Sequence, residues 1–236
     1  MEHIEKMFTG IGGTFLTSPG EMTAKLKHVK AFVFDWDGVF NSGEKNESGS
    51  SNFSEVDSMG TNMLRFSFWL QYHQIPLSAI ISGERNSASF ILATREHFTS
   101  AYYRVSHKIE ALDHFCKLHH LKHDEVAFVF DDVLDISMAE VCGLRILVSR
   151  KANPLFTEYI RKNNHADYIT SAESGRFAVR ETCELLMGLI GTYDEAISKR
   201  SVNSEMYRKY MDARNTAKTA FFTKSADKIV EQEPGK

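Results

Sequence analysis

The chain has 236 residues, 42% of them hydrophobic and 25% charged, with a formal net charge of -3. That length supports one substantial core or two smaller ones in a folded globular body, and the near-neutral balance offers no electrostatic case for a nucleic-acid partner. Cys116, Cys142 and Cys183 are odd in number and far apart, which suits a reducing compartment better than a metal cluster. No run approaches the length of a membrane span, and the first residues, MEHIEKMFTG, carry acids where a signal peptide is basic and apolar. A cytoplasmic location without a membrane partner is the expectation.

Residues 1–27 stand outside the pattern that follows and read as an N-terminal extension. The run AFVF, 31–34, predicts a buried strand that ends in Asp35-Trp36-Asp37-Gly38. Residues 41–58, NSGEKNESGSSNFSEVDS, form the most polar stretch of the body and read as a loop or a β-hairpin flap. SMGTNMLRFSFWLQYHQ places Met63, Phe66 and Leu70 on one helical face. A second strand, LSAII, ends in Ser82-Gly83, and the short segment SAYYRV precedes Lys108 at the start of a helix with Ile109, Leu112, Phe115 and Leu118 on one face. That helix ends in HHLKH, residues 119–123, where histidine interacts well with the helix dipole, so a surface role is favoured over a metal site.

VAFVF predicts a third strand, ending in Asp131-Asp132 with Asp135 close behind. DISMAEVCG has helical spacing and a plausible C-terminal glycine in Gly143. LRILV, before Ser149, and the weaker HADYIT, near Tyr168, complete the set of strands. Continuous apolar runs alternating with helices predict an α/β fold, with a parallel sheet covered by helices on both faces, over residues 28–192. Beyond 192 the chain is charged and rich in helix formers but has little continuous apolar pattern, so 193–236 reads as an exposed helical extension or tail.

Ligands of open α/β sheets bind beyond the carboxyl ends of the strands. The predicted strand ends bring together Asp35, Asp37, Ser82, Gly83, Lys108, Asp131, Asp132 and Asp135. Carboxylates crowded at buried strand ends repel each other and resist desolvation. A hard divalent cation such as Mg2+ makes the crowding tolerable, and a hydroxyl, an ammonium and backbone N–H groups suit a phosphoryl group. A carboxylate can attack phosphorus, and a second one nearby can act as acid and base. Each piece alone has an ordinary reading as a turn, a helix cap or a solvated lysine; their order along successive strands carries the functional one.

F-D-W-D-G-V at 34–39, I-S-G at 81–83, Lys108, and F-D-D-V-L-D at 130–135 resemble, in order, the four motifs of the haloacid dehalogenase superfamily. ADYITSAESGRFAVRETCELLM, 166–187, resembles the closing stretch of its capless 3-deoxy-D-manno-octulosonate 8-phosphate phosphatase group. The resemblance spans roughly residues 29 to 190 and implies a Rossmann-like core with no separate cap domain. It implies a Mg2+-dependent phosphatase acting on a small sugar phosphate, such as a 3-deoxy-D-manno-octulosonate 8-phosphate-like sugar acid. Asp35 would be nucleophile and metal ligand, and Asp37 the acid/base that lends its backbone carbonyl to the metal. Ser82, Gly83 and Lys108 would hold phosphate, Asp131 would complete the metal ligands, and Asp132 and Asp135 would support them. A homotetramer is implied as well, in which segments near 41–58 and 174–177 help to cover the site.

This chain departs from the family pattern at Ser82 for threonine, Glu84 for arginine and Phe130 for glycine, and it keeps only Ser174-Gly175 of a glycine pair. Glu84 and Phe130 support an alternative, a catalytically weak binding or scaffold protein that kept the fold. A receiver-type signalling domain uses similar residues in a different order and is disfavoured by that order.

Overall fold

Each apolar run of the sequence is a strand, and the runs are linked by helices. The computed structural model describes residues 1–234; residues 235 and 236, the end of the expected C-terminal extension, lie outside the described residues. The elements begin with α1 (Glu2–Gly10), β1 (Thr14–Phe15), α2 (Pro19–Leu26) and β2 (Ala31–Phe34). They continue with α3 (Glu55–Tyr72), β3 (Leu77–Ile81), α4 (Ser87–Arg95), β4 (Ser100–Tyr103) and α5 (Ile109–His119). Next come β5 (Val126–Phe130), α6 (Ile136–Ala139), β6 (Leu144–Ser149), α7 (Pro154–Lys162), β7 (Tyr168–Glu173) and α8 (Ala178–Ile190). The chain then adds α9 (Tyr193–Ser201), α10 (Glu205–Arg214), β8 (Ala220–Ser225) and β9 (Lys228–Glu231).

One sheet runs in the order β1-β7-β6-β5-β2-β3-β4-β8-β9. Its interior pairs are parallel, and the short edge strands β1 and β9 are antiparallel. The pleat explains why the strands are apolar throughout: Phe32 and Phe34 enter one core while Ala31 and Val33 enter the other, on the opposite face. From β2 the chain builds outward through β3 and β4 on one side, then returns to lay β5, β6 and β7 on the other. The direction of growth therefore reverses between β2 and β5, where a crevice opens at the carboxyl ends.

Several local expectations change. The polar stretch after Phe40 takes the loop alternative: Asn46 N–H donates to Ser50 O at 2.9 Å in one tight turn, and no hairpin ladder forms there among the described residues. Leu118 is exposed, whereas Leu112, Phe115 and Cys116 are buried, because each i+3 step lags a true helical turn by about 60° and three steps leave the face. Gly143 is no helix cap. α6 ends earlier, at Ala139, and a Cβ at Gly143 would overlap the Asp124 backbone carbonyl.

The C-terminal extension is only partly helical. After α9 and α10, β8 pairs in parallel with β4 and β9 folds back on β8, so Phe221 and Phe222 are buried where an exposed tail had been expected. Composition hid these strands because an edge strand needs few apolar residues. A buried charge network holds the extension down. Arg214 Nη1 donates to Glu96 Oε2 at 2.8 Å, Ser58 Oγ donates to Glu96 Oε1 at 3.0 Å, and Arg65 Nη1 donates to the Glu96 carbonyl at 2.8 Å. Arg214 and Glu96 are only 6% and 12% exposed at their side chains, so water compensates little if one is removed. Glu96→Ala is expected to lower the unfolding free energy by about 3 kcal/mol by stranding the Arg214 guanidinium. Urea denaturation checks this, and a midpoint equal to that of wild type would show that the network does not anchor the extension.

Candidate active site

The loop after β2 is built for close approach. Trp36 is fully buried and stacks on Phe40 at 5.1 Å, pinning the turn into the core while its neighbours Asp35 and Asp37 point the other way. Asn41 ties the turn together: its Nδ2 donates to Trp36 O at 3.2 Å, and its Oδ1 accepts from Gly43 N at 2.8 Å. Gly38 has φ 91°, and a Cβ there would overlap the Asp131 carboxylate. The glycine is thus required twice, by backbone conformation and by space.

Asp131 follows β5, the parallel neighbour of β2, and Asp35 N–H donates to Val129 O at 2.9 Å across that pair. One carboxylate oxygen from each of Asp35, Asp131 and Asp135 falls within 4.8 Å of the others, and all three residues are buried. Lys108, just before α5, reaches between them. Its Nζ donates to Asp35 Oδ1 and to Asp135 Oδ1, each at 2.6 Å, and its side chain is 4% exposed. Asp135 Oδ2 also accepts from the backbone N–H of Asp132 at 3.2 Å, which fixes the loop after β5. Asp132 caps the turn that follows by accepting from Val133 N at 2.7 Å.

Asp35, Asp37, Ser82, Gly83, Lys108, Asp131, Asp132 and Asp135 all line one cavity of about 350 Å3, so the residues singled out in the sequence converge on one place. Asp37 turns toward the loop after Phe40: Lys45 Nζ donates to its Oδ2 at 2.5 Å and Ser51 Oγ to its Oδ1 at 2.6 Å. Phe130 does not enter the cavity. Its ring is fully buried and lies parallel to Phe128 at 5.4 Å, so the loss of glycine at this position does not narrow the site. Glu84 does line the cavity, whereas Arg85 turns away, its guanidinium 5.7 Å from the centre of the Phe90 ring.

Sequence reasoning missed Arg150, Lys45 and Ser51. Arg150 directly follows β6, so the rule that strand ends form sites could have found it. Its Nη2 donates to Asp131 Oδ2, its Nη1 to Asp132 Oδ2 at 3.3 Å, and it lines the same cavity. Lys45 and Ser51 lie in a polar loop and carry no such signal.

Burial, with the negative charge of Asp135, holds the Asp35 carboxyl above its usual range despite Lys108. Burial and the charges of Asp35 and Asp135 raise Asp131 likewise, against the pull of Arg150. Burial would lower the Lys108 ammonium, but its two carboxylate partners outweigh that and raise it. Three buried carboxylates thus share two cations, Lys108 and Arg150. A divalent cation fits this donor set, which consists of hard oxygens, and Asp131 Oδ1 is buried without a hydrogen-bond partner. None of the histidines of the 119–123 stretch lines this cavity, and His123 pairs with Asp113 at 2.8 Å.

No family model matches the chain. The 3-deoxy-D-manno-octulosonate 8-phosphate phosphatase KdsC of Salmonella typhimurium is 30% identical over 183 residues, covering 76% of this chain and 89% of the relative. A probable yrbI family phosphatase from Pseudomonas syringae superposes with a TM-score of 0.64 at 28% identity, over 76% of this chain and 96% of that one. A 3-deoxy-D-manno-octulosonate 8-phosphate phosphatase from Moraxella catarrhalis, solved with magnesium, phosphate and KDO, also gives 0.64 at 25% identity, over 76% and 98%. With its sheet order, its buried aspartates and this likeness over most of its length, the chain belongs to the KdsC phosphatase family of the haloacid dehalogenase superfamily.

Proposed function

We propose that this chain is a Mg2+-dependent phosphomonoester hydrolase that acts on a small sugar phosphate through an aspartyl-phosphate on Asp35. The observation that carries this reading is Lys108 bridging Asp35 and Asp135 at the floor of a cavity that also holds Ser82, Gly83 and Asp131. In this reading Asp35 and Asp131 would hold Mg2+ together with the Asp37 carbonyl, and Asp132 and Asp135 would support them. The bound ion would supply charge neutralisation at the phosphoryl oxygens. Ser82, the Gly83 backbone and Lys108 hold the phosphoryl group so that a free Asp35 oxygen lies in line with the ester bond. That oxygen bonds to phosphorus as the ester P–O bond breaks, and Asp37 gives its proton to the departing alkoxide. Asp37 then takes a proton from water, whose oxygen attacks phosphorus and frees Asp35. Lys45 and Ser51 donate to the two Asp37 carboxyl oxygens, so in this reading their loop would orient that carboxyl toward the leaving group.

The relatives act on a sugar acid phosphate, by name, and a related sugar acid is the first candidate substrate here. Glu84 favours a less anionic one. A carboxylate at about 4 Å from a substrate anion costs about 1 to 4 kcal/mol between watery and protein-like dielectrics, and Arg85 is engaged elsewhere. The binder or scaffold alternative keeps only Glu84 in its favour, since Phe130 is part of the core.

The chemistry would reside in residues 28–192, with 1–27 and 193–236 as additions. No helix among the described residues is long and apolar enough to cross a membrane. A homotetramer belongs to the same reading, with the 41–58 loop and residues 174–177 as covering elements. Gly175 already packs on Ser42, so the two segments form one unit at the rim.

Three measurements test this function. Asp35→Asn should lose turnover of a generic phosphate ester by at least about a hundredfold while keeping the circular dichroism of wild type, and chelation of Mg2+ should stop wild type reversibly. Residual activity of more than a few per cent in Asp35→Asn would rule out the covalent route, and absence of turnover in wild type would favour the scaffold. Light scattering should report a tetramer at micromolar concentration; an active monomer would remove the covering role from assembly. Across a panel of sugar phosphates, Glu84→Arg should move kcat/KM toward the sugar acid phosphate by about tenfold or more relative to neutral or amine-bearing sugars. A preference for the sugar acid in wild type, weakened by Glu84→Arg, would refute the charge argument.

A further inference from the structure

Among the cations of the site, Arg150 is placed differently from Lys108. Lys108 lies deep, between Asp35 and Asp135, and leaves Asp131 untouched. Arg150 comes from the rim at the end of β6, is 28% exposed, and clasps Asp131, which is 2% exposed. The pair rests against bare Gly38, where any side chain would meet both partners. Arg150 has two further acceptors beside it, Asp132 Oδ2 at 3.3 Å and Ser174 Oγ at 3.4 Å. Asp132 is half exposed, so the guanidinium can shift onto it without entering the core.

We propose that Arg150 is an internal competitor for the divalent cation, sharing the Asp131 carboxylate with it and weakening its hold. This inference rests on the reading of Asp35, Asp131 and Asp135 as the metal-binding cluster. A full positive charge hydrogen-bonded to a buried carboxylate reduces the negative potential that draws a dication to that oxygen pair. Asp131 Oδ1 is free of partners, but Oδ2 would become available to an ion only if the guanidinium moved toward Asp132 and Ser174. That movement keeps Arg150 at the mouth of the cavity. The chain thereby exchanges metal affinity for a cation held at the rim, where a phosphate ester enters.

The test is direct titration of the chelator-stripped, full-length protein with Mn2+, followed by electron paramagnetic resonance of the free ion and by calorimetry with Mg2+. Arg150→Gln removes the charge and keeps hydrogen-bonding capacity, and it should bind the ion about tenfold more tightly than wild type, equivalent to one charged hydrogen bond. Arg150→Lys retains the charge and should bind close to wild type. A merely structural role, in which Arg150 holds Asp131 in place, would move Arg150→Gln in the opposite direction. Weaker binding by Arg150→Gln, or equal affinities, overturns the competition and leaves the metal site standing. Failure of wild type and both variants to bind either ion overturns the metal reading itself, and the competition with it. Should Arg150→Gln prove unstable after stripping, the comparison is made by its Mn2+-induced rise in melting temperature against that of Arg150→Lys, where a smaller rise for Arg150→Gln overturns the proposal.

Discussion

Three carboxylates buried within a few ångströms of one another cannot persist without positive charge among them, and the position of Lys108 between Asp35 and Asp135 meets that constraint. Much of the architecture follows from bringing one ammonium to that point. Asp35 comes from the end of β2, Asp135 from the turn after β5, and Lys108 from the entry to α5, beyond β4. Only a parallel sheet delivers all of these ends to the same edge, and only the reversal of strand order between β2 and β5 leaves a crevice there for them to share. Lys108 satisfies two of the carboxylates. The third, Asp131, is left to Arg150 and to any ion the site binds.

Local rigidity around the cluster comes from apolar side chains one residue away from the chemistry. Trp36, between the two aspartates of the first loop, and Phe130, before the aspartates of the second, are both fully buried. Each anchors its loop from below, so that the neighbouring carboxylates face the cavity without relying on one another for position. At Phe130, the last residue of β5, the alternation of extended backbone does the sorting, whereas Trp36 opens a turn in which Phe40 N–H donates to the Trp36 carbonyl at 3.1 Å. The phenylalanine at 130 thus acts as an anchor rather than as an obstruction.

The rim is organised differently. Polar contacts connect much of it, with Lys45 and Ser51 holding Asp37 and Arg150 reaching Ser174, while Gly175 packs on Ser42. Such contacts are more easily exchanged than a packed core, and they are where this chain carries its own charge pattern, with Glu84 in the cavity and Arg85 outside it. Away from the site, α10 packs on α3, β8 pairs with β4, and the extension is tied back by Arg214 and Glu96. β4 would otherwise be an open edge with unpaired backbone groups, and Lys108 follows it by a few residues.

The sequence by itself determined the class of fold and most of the site, because both depend on short-range pattern. Runs such as AFVF and VAFVF can be satisfied only by burial on two faces, and a strand end is where a polar group next reaches solvent, so Asp35, Ser82 and Asp131 were legible as neighbours in one cavity. Lys108 was legible through its place in the order of motifs. Tertiary structure alone decided the partners. Asp135 joins the buried cluster because the turn after β5 curls back on itself, and Arg150 reaches Asp131 because β6 lies beside β5, a pairing that no local spacing encodes. The same holds for residues 220–231, whose mixed composition suits an edge strand or an exposed tail equally well. The difference lies in the free backbone hydrogen bonds of β4, a property of the folded sheet and not of the segment that completes it.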